Sequence, residues 1–145
     1  MQVKYERIET GTFLERPNRF IAYVEIAGQK EIVHVKNTGR CAELLTPGAT
    51  VYVQKADNPE RKTQWDLIGV KKGKRMINMD SQIPNKAVEE WIRRGNLFPD
   101  ATLIKPETTY KQSRFALYVE EGNRKIFIEV KGVTLENNGV VKFPD

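Results

Sequence analysis

A chain of 145 residues with 39% hydrophobic and 30% charged residues falls in the range of globular proteins, and a chain of this size buries about 70% of its unfolded surface without covalent staples. No apolar run approaches the roughly 20 residues that span a bilayer. The opening Met1-Gln2-Val3-Lys4-Tyr5-Glu6-Arg7 has no signal core, and the single cysteine, Cys41, excludes an internal disulfide or a cysteine-rich zinc site. The expected compartment is the cytosol, with no membrane partner, and the formal charge of +5 favours anionic partners, nucleic acid first among them.

In chain order, the first half reads as short strands cut by turn residues. Residues 20–26 are rich in Phe, Ile, Tyr and Val, end at Ala27-Gly28 and are followed by a second strand at 32–35, so a hairpin turns near Gly28. Asn37-Thr38-Gly39 and Thr46-Pro47-Gly48 are the next breaks, with room at 42–45 for a single helical turn. Further strands are predicted at 51–53, stopped by Asp57-Asn58-Pro59, at 65–70, and at 76–78 after a turn at 71–74. Five or so strands with one helical turn predict a small Greek-key barrel, and a small sandwich fits the same pattern.

The character changes at Ser81. Pro84 suits a first helical turn, where its missing N–H costs nothing. Ala87, Val88, Trp91 and Ile92 recur at helical spacing and predict one apolar face. Glu89 with Arg93 and Glu90 with Arg94 form i,i+4 pairs, and Gly95 supplies the stop. Strands are predicted at 114–119 and 125–130 around the hairpin signal Glu121-Gly122-Asn123, with a last one at 140–143 after Asn137-Asn138-Gly139. The expected fold is α+β, mostly β: a five-stranded OB-like barrel over 1–82 and a one-helix α/β region over 83–145. A sheet with one helix leaves its other face open, so the second region is expected to belong to a longer domain or to be completed in a homo-oligomer.

Basic residues cluster beside turns, where Arg and Asn side chains and free backbone N–H groups suit phosphate. This makes Arg16, Asn18, Arg19, Asn37, Thr38, Arg40, Asn58, Arg61 and Lys62 the candidate nucleic-acid contacts. Phe20, Tyr23, Tyr52 and Trp65 are base-stacking platforms if they face outward. Phe20 and Trp65 are expected rather to fill the barrel, and Arg16, Arg19 and Arg40 to face a ligand. In Glu129-Val130-Lys131, strand alternation puts Glu129 and Lys131 on one face with Phe127, and Ile126, Ile128 and Val130 on a buried one. A carboxylate that holds a divalent cation beside a lysine that positions water suits phosphodiester hydrolysis. A solvated ion pair is the other reading of the same triplet. His34 has no second histidine and reads as structural, and Cys41 as a small buried hydrophobe. The sequence holds no phosphate-cradling glycine loop, which argues against nucleotide hydrolysis.

Longer words then add to this reading. Arg16-Pro17-Asn18-Arg19-Phe20, Asn37-Thr38-Gly39-Arg40, Asp57-Asn58 with Arg61-Lys62-Thr63, Ile83-Pro84-Asn85, and the stretch from Glu129-Val130-Lys131-Gly132 to Phe143-Pro144-Asp145 occur in the same order in one family. The chain resembles the sugar fermentation stimulation protein A family from end to end. The resemblance implies an OB-like domain joined to the first part of a PD-(D/E)XK restriction-endonuclease-like domain. It also implies binding of DNA (RNA is the alternative) without sequence preference, and a metal-dependent nuclease.

Carried over by position, the resemblance gives Glu90, Glu129 and Lys131 the catalytic places, with Mg²⁺ or Mn²⁺ at Glu129 and Glu90. The family's remaining metal-binding Asp falls on Ala116, in Ser113-Arg114-Phe115-Ala116. Magnesium is usually held by one or two carboxylates, so the loss of one implies weak metal binding and slow or absent cleavage. The family continues beyond Phe-Pro-Asp, so only the first half of the nuclease-like domain is expected here. Two other readings stay open: an OB-type binding module without catalysis, and a domain that binds a protein or a small anion.

Overall fold

The structure, a computed structural model, describes residues 4–37 and 39–143. They form two compact units, one of residues 4–81 with 133–143 and one of residues 82–132.

In the first unit the alternation of small and β-branched apolar residues with polar ones produces six strands: β1 (Ile8–Glu15), β2 (Ile21–Ile26), β3 (Gln29–Val35), β4 (Thr50–Lys55), β5 (Trp65–Lys72) and β6 (Arg75–Asn78). β1 pairs with β2 on one side and β4 on the other, β4 pairs with β5, and β5 returns to β3 through the parallel pairs His34↔Asp66 and Val35↔Leu67. The ring β1-β2-β3-β5-β4 is therefore a closed five-stranded barrel of OB type, not a sandwich, with β6 added as a hairpin on β5. Its interior is filled by Phe13, Val24, Val33, Val35, Val51, Val53, Leu67 and Val70.

β1 has no counterpart among the predicted strands, because Phe13 is the one residue of it that is buried. It must curve to serve two neighbours, and Gly11 sits at that crossing. A Cβ there would lie 2.5 Å from Val24 Cγ1 and 3.0 Å from the Glu25 carbonyl oxygen. The hairpin at Gly28 is as expected: Ala27 (φ 51°) and Gly28 (φ 81°) form its two-residue, left-handed loop. The single helical turn is present too, with the Leu44 and Leu45 amides donating to the Cys41 carbonyl at 3.1 and 2.9 Å. Cys41 itself is buried with Leu44 and Leu45. The turn expected at 71–74 is narrower than that: Lys71 and Lys72 belong to β5, and Gly73 takes the positive φ.

The second unit holds α1 (Ile83–Arg93) and an antiparallel sheet of β7 (Ala101–Tyr110), β8 (Ser113–Glu121) and β9 (Arg124–Ile128) in that order. Pro84 lies in the first helical turn, and Gly95, at φ 96°, follows the last. Val88 and Ile92 pack on Ile104, Leu117, Val119, Ile126 and Ile128. The helical face is narrower than expected, since Ala87 is exposed and Trp91 is 48% exposed. Three strands seat one row of helical side chains, and the adjacent row overhangs. β7 was hidden in the sequence by Pro106, which a strand tolerates at an edge, where this one lies. β9 stops at Ile128, so Val130 lies beyond the sheet, and Ile126, Ile128 and Val130 are half-buried rather than buried.

Residues 133–143 pack with the barrel. They make a short hairpin of β10 (Glu136–Asn137) and β11 (Val140–Val141), turning at Asn138 and Gly139. Lys72 Nζ donates to the Glu136 carbonyl, and Arg75 Nε lies 3.4 Å from the buried Glu136 carboxylate.

Candidate nucleic-acid interface

The loop from β1 to β2 and the loop from β3 to β4 are held by one side chain. Arg16 Nη1 donates to the carbonyls of Gly39 (2.7 Å) and Arg40 (2.8 Å), and Nη2 to those of Arg19 and Asn37 (both 2.7 Å). Burial of the guanidinium lowers its pKa from the ordinary arginine value, with Cys41 opposing. A planar fork with donors on both nitrogens matches converging carbonyls as lysine cannot. Arg16, expected to meet a ligand, is thus the clamp that sets both loops.

The asparagines shape the loops in the same way. Asn18 Oδ1 accepts the amides of Phe20 (2.8 Å) and Ile21 (3.0 Å), Asn37 Oδ1 that of Gly39 (2.8 Å), and Asn58 Oδ1 that of Glu60 (2.9 Å). These are Asx turns, which use up the side-chain oxygen. Thr38 lies outside the described residues.

In the loop from β4 to β5, Arg61 grips Asp66 at 2.7 and 3.2 Å and also donates to Thr63 Oγ1. His34 Nδ1 lies 3.4 Å from the same carboxylate. Burial pushes the Asp66 carboxyl up, but the Arg61 hydrogen bonds and charge, helped by Lys36 and His34, outweigh it and hold the pKa below its ordinary value.

Three of the predicted cations remain open. Arg19, Arg40 and Lys62 are exposed, and among the described residues their side chains make no ion pair or hydrogen bond; Arg19 lies over the Phe20 ring at 4.9 Å. Phe20 itself is 47% exposed rather than inside the barrel. It precedes β2, in the turn that Asn18 builds, so strand alternation does not govern it. Trp65 packs against the barrel core as expected, with Lys55 Nζ at 5.5 Å from its ring. Tyr23 is half-buried under Lys30 Nζ at 4.3 Å, a contact the sequence did not signal because the two residues lie on different strands. Tyr52 is half-buried and packs against Gly69.

The carboxylates of the other unit are less converged. Glu90 is half-buried and ion-paired with Arg94 on α1, as the spacing predicts. Glu129 is exposed and accepts the Val130 amide at 3.2 Å, and Lys131 is exposed beyond it. Ala116 is 6% exposed. The β8–β9 pairing ends at Leu117↔Ile128, one residue short of both Ala116 and Glu129. Among the described residues, no three His, Cys, Asp or Glu side chains are grouped to hold a metal ion. An exposed carboxylate, an ion-paired one and an alanine do not fit a resident divalent cation.

Comparison with known proteins bears on both units. Residues 14–79 match the family described as SfsA N-terminal OB domain, and residues 82–145 the one described as sugar fermentation stimulation protein RE domain. Among curated relatives, the sugar fermentation stimulation protein homologs of Clostridium beijerinckii and Ruminiclostridium cellulolyticum are 69% and 64% identical over 143 residues, which is 99% of this chain and 63% of each relative. The chain thus spans a little under two thirds of the length of these relatives. Among solved structures, Pyrococcus furiosus SfsA in complex with Ca²⁺ matches with a TM-score of 0.87 at 28% identity, over 99% of this chain and 62% of that one. The barrel, the strand order and these matches agree that the chain belongs to the sugar fermentation stimulation protein A family.

Proposed function

We propose that this chain binds DNA through its phosphates, without reading sequence, using the loops of the OB barrel. The observation that carries the reading is the Arg16 clamp. It spends a guanidinium on four backbone carbonyls in two loops that present Arg19 and Arg40 to solvent. The net charge of +5 supplies the long-range attraction. Phosphate contacts of this kind position a protein on nucleic acid and carry no base information, so the same chemistry extends to RNA.

Family likeness assigns Glu129, Glu90 and Lys131 to Mg²⁺ or Mn²⁺ chemistry, but Glu90 is paired with Arg94, and among the described residues no three His, Cys, Asp or Glu side chains are grouped for a metal. Because Ala116 stands where the family likeness expects a third, cleavage is expected to be slow or absent in either metal. The Pyrococcus furiosus relative was solved with Ca²⁺, which makes a divalent-cation titration of this chain informative.

The reading is tested by fluorescence anisotropy with unlabelled-sequence controls, in metal-free buffer. The triple variant R19A/R40A/K62A is expected to bind DNA at least about tenfold more weakly than the parent, since it loses three phosphate contacts. Unchanged affinity would put the contact surface elsewhere, and no affinity for DNA in the parent would favour a protein or small-anion ligand.

A further inference from the structure

We infer that two copies of this chain pair antiparallel along their β9 strands, centred on Phe127, which joins their three-stranded sheets into a single sheet. The inference is independent of the DNA-binding reading and names the surface on which a homo-oligomer forms.

The sheet of β7, β8 and β9 has an edge at each end, and the two edges differ. On β7, Pro106 has no N–H to donate, Glu107 turns to φ 49°, and the register shifts between Ala101 and Leu103. Such features keep an edge from accepting another strand. β9 has none of them. Its residues, Arg124–Ile128, pair evenly with β8, include no proline, and none has a positive φ. Among the described residues its other side has no strand neighbour, so its outward amides and carbonyls are a template for one.

The side chains along this edge are incompletely covered. Ile126 and Ile128 pack with α1 yet stay half-buried. Phe127, also half-buried, has the rings of Tyr110, Tyr118 and Phe115 gathered round it at 4.9, 4.9 and 5.1 Å. Tyr110 in this cluster is 50% exposed.

Strand alternation and charge select the register. An antiparallel ladder between identical strands must be centred on a residue, because a centre between two residues opposes unlike faces. Centred on Phe127, each Lys125 lies opposite the other copy's Glu129, each Ile126 opposite Ile128, and the two Phe127 rings oppose each other. A centre one residue earlier sets Lys125 against Phe127. A centre one residue later sets Phe127 against Glu129 and Lys125 against Lys131. Lys125 and Glu129 are both exposed, and among the described residues neither side chain makes an ion pair. Opposite charges and aromatic pairs across strands are both favourable. The two-fold axis is perpendicular to the sheet, so both α1 helices lie on one side and the aromatic clusters join on the other.

The test is sedimentation velocity of the full chain, without DNA or metal, at low salt. A monomer–dimer equilibrium is expected as concentration rises from about 1 µM toward about 1 mM, as suits a small interface. Lys125→Glu and Glu129→Lys each oppose like charges twice and are expected to weaken the dimer about tenfold or more. Mixed together, the two variants regain both opposite-charge pairs, so a heterodimer of near-parent affinity is expected. Both positions are exposed, and thermal melts check that the variants fold. A parent that stays monomeric throughout that range would overturn the inference. So would a dimer that neither variant weakens, or a loss that mixing does not restore.

Discussion

At the scale of single residues, Arg16 and Arg61 hold the fold together while Arg19, Arg40 and Lys62 face solvent. Arg16 and Arg61 stand in basic turns beside Arg19, Arg40 and Lys62, and nothing local separates them. The division is tertiary: Arg16 finds carbonyls more than twenty residues away in Asn37, Gly39 and Arg40, and Arg61 finds Asp66. Arg16→Ala leaves carbonyls without their donors and is expected to cost about 2–3 kcal/mol, as hydrogen bonds to charged groups do. Arg16→Lys is expected to recover little of it, because an ammonium cannot span converging carbonyls as a fork does. Urea denaturation measures both, and an Arg16→Ala midpoint equal to the parent's would show that the clamp is idle.

Tyr5 gives a second residue-scale prediction. Its hydroxyl donates to Asp80 Oδ2 and accepts from Asn78 Nδ2, both at 3.1 Å. Burial, with the Asp80 charge adding and Asn78 opposing, pushes its pKa from 10.0 up to about 12. A raised folded-state value means that the folded protein keeps this proton longer than the unfolded chain. The contribution to stability is therefore complete below pH 10 and is lost as pH rises from 10 toward 12. The stability difference between the parent and Tyr5→Phe is expected to shift against the parent across that window, and a pH-independent difference would remove Tyr5 from the account.

At the scale of elements, alternation and turn chemistry located most strands, and the exceptions have physical causes. β1 is missed because Phe13 is the one inward residue it buries, and β7 because Pro106 marks a strand interior as improbable. The crossing of β1 predicts that Gly11→Ala costs about 1–3 kcal/mol, as overpacking does, since the added methyl meets Val24 and the Glu25 carbonyl. A melt unchanged by that substitution would deny the close approach. On β8, Ala116→Asp introduces a carboxylate at a buried position. It is expected to lower the melting temperature in metal-free buffer, through desolvation, and to regain part of it in Mn²⁺. Destabilisation without metal-dependent recovery would count against Ala116 standing at a cation position.

At the scale of the whole molecule, most strands were legible but closure was not. Alternation says which face of a strand is buried and not which strand lies beside it, so barrel and sandwich stayed equivalent until the parallel β3–β5 pairs decided between them. Likewise, no local signal announces that residues 133–143 pack with a barrel built from residues 4–81, because that packing joins Glu136 to Lys72 and Arg75 across the sequence. The candidate interface was legible as a set of basic loops; Glu129 with Lys131 stood out as a triplet and Glu90 came from family likeness, and among the described residues no three His, Cys, Asp or Glu side chains are grouped to hold a metal ion.

The central claim, that the barrel loops hold DNA by its phosphates, is tested most directly by the slope of log affinity against log salt. With Arg19, Arg40 and Lys62 as the contacts, the slope is expected near −2.7 on duplex and near −2.1 on single strands, from about 0.9 and 0.7 per phosphate. The R19A/R40A/K62A variant is expected to be nearly flat. A parent slope near zero, or a variant slope as steep as the parent's, would contradict the account.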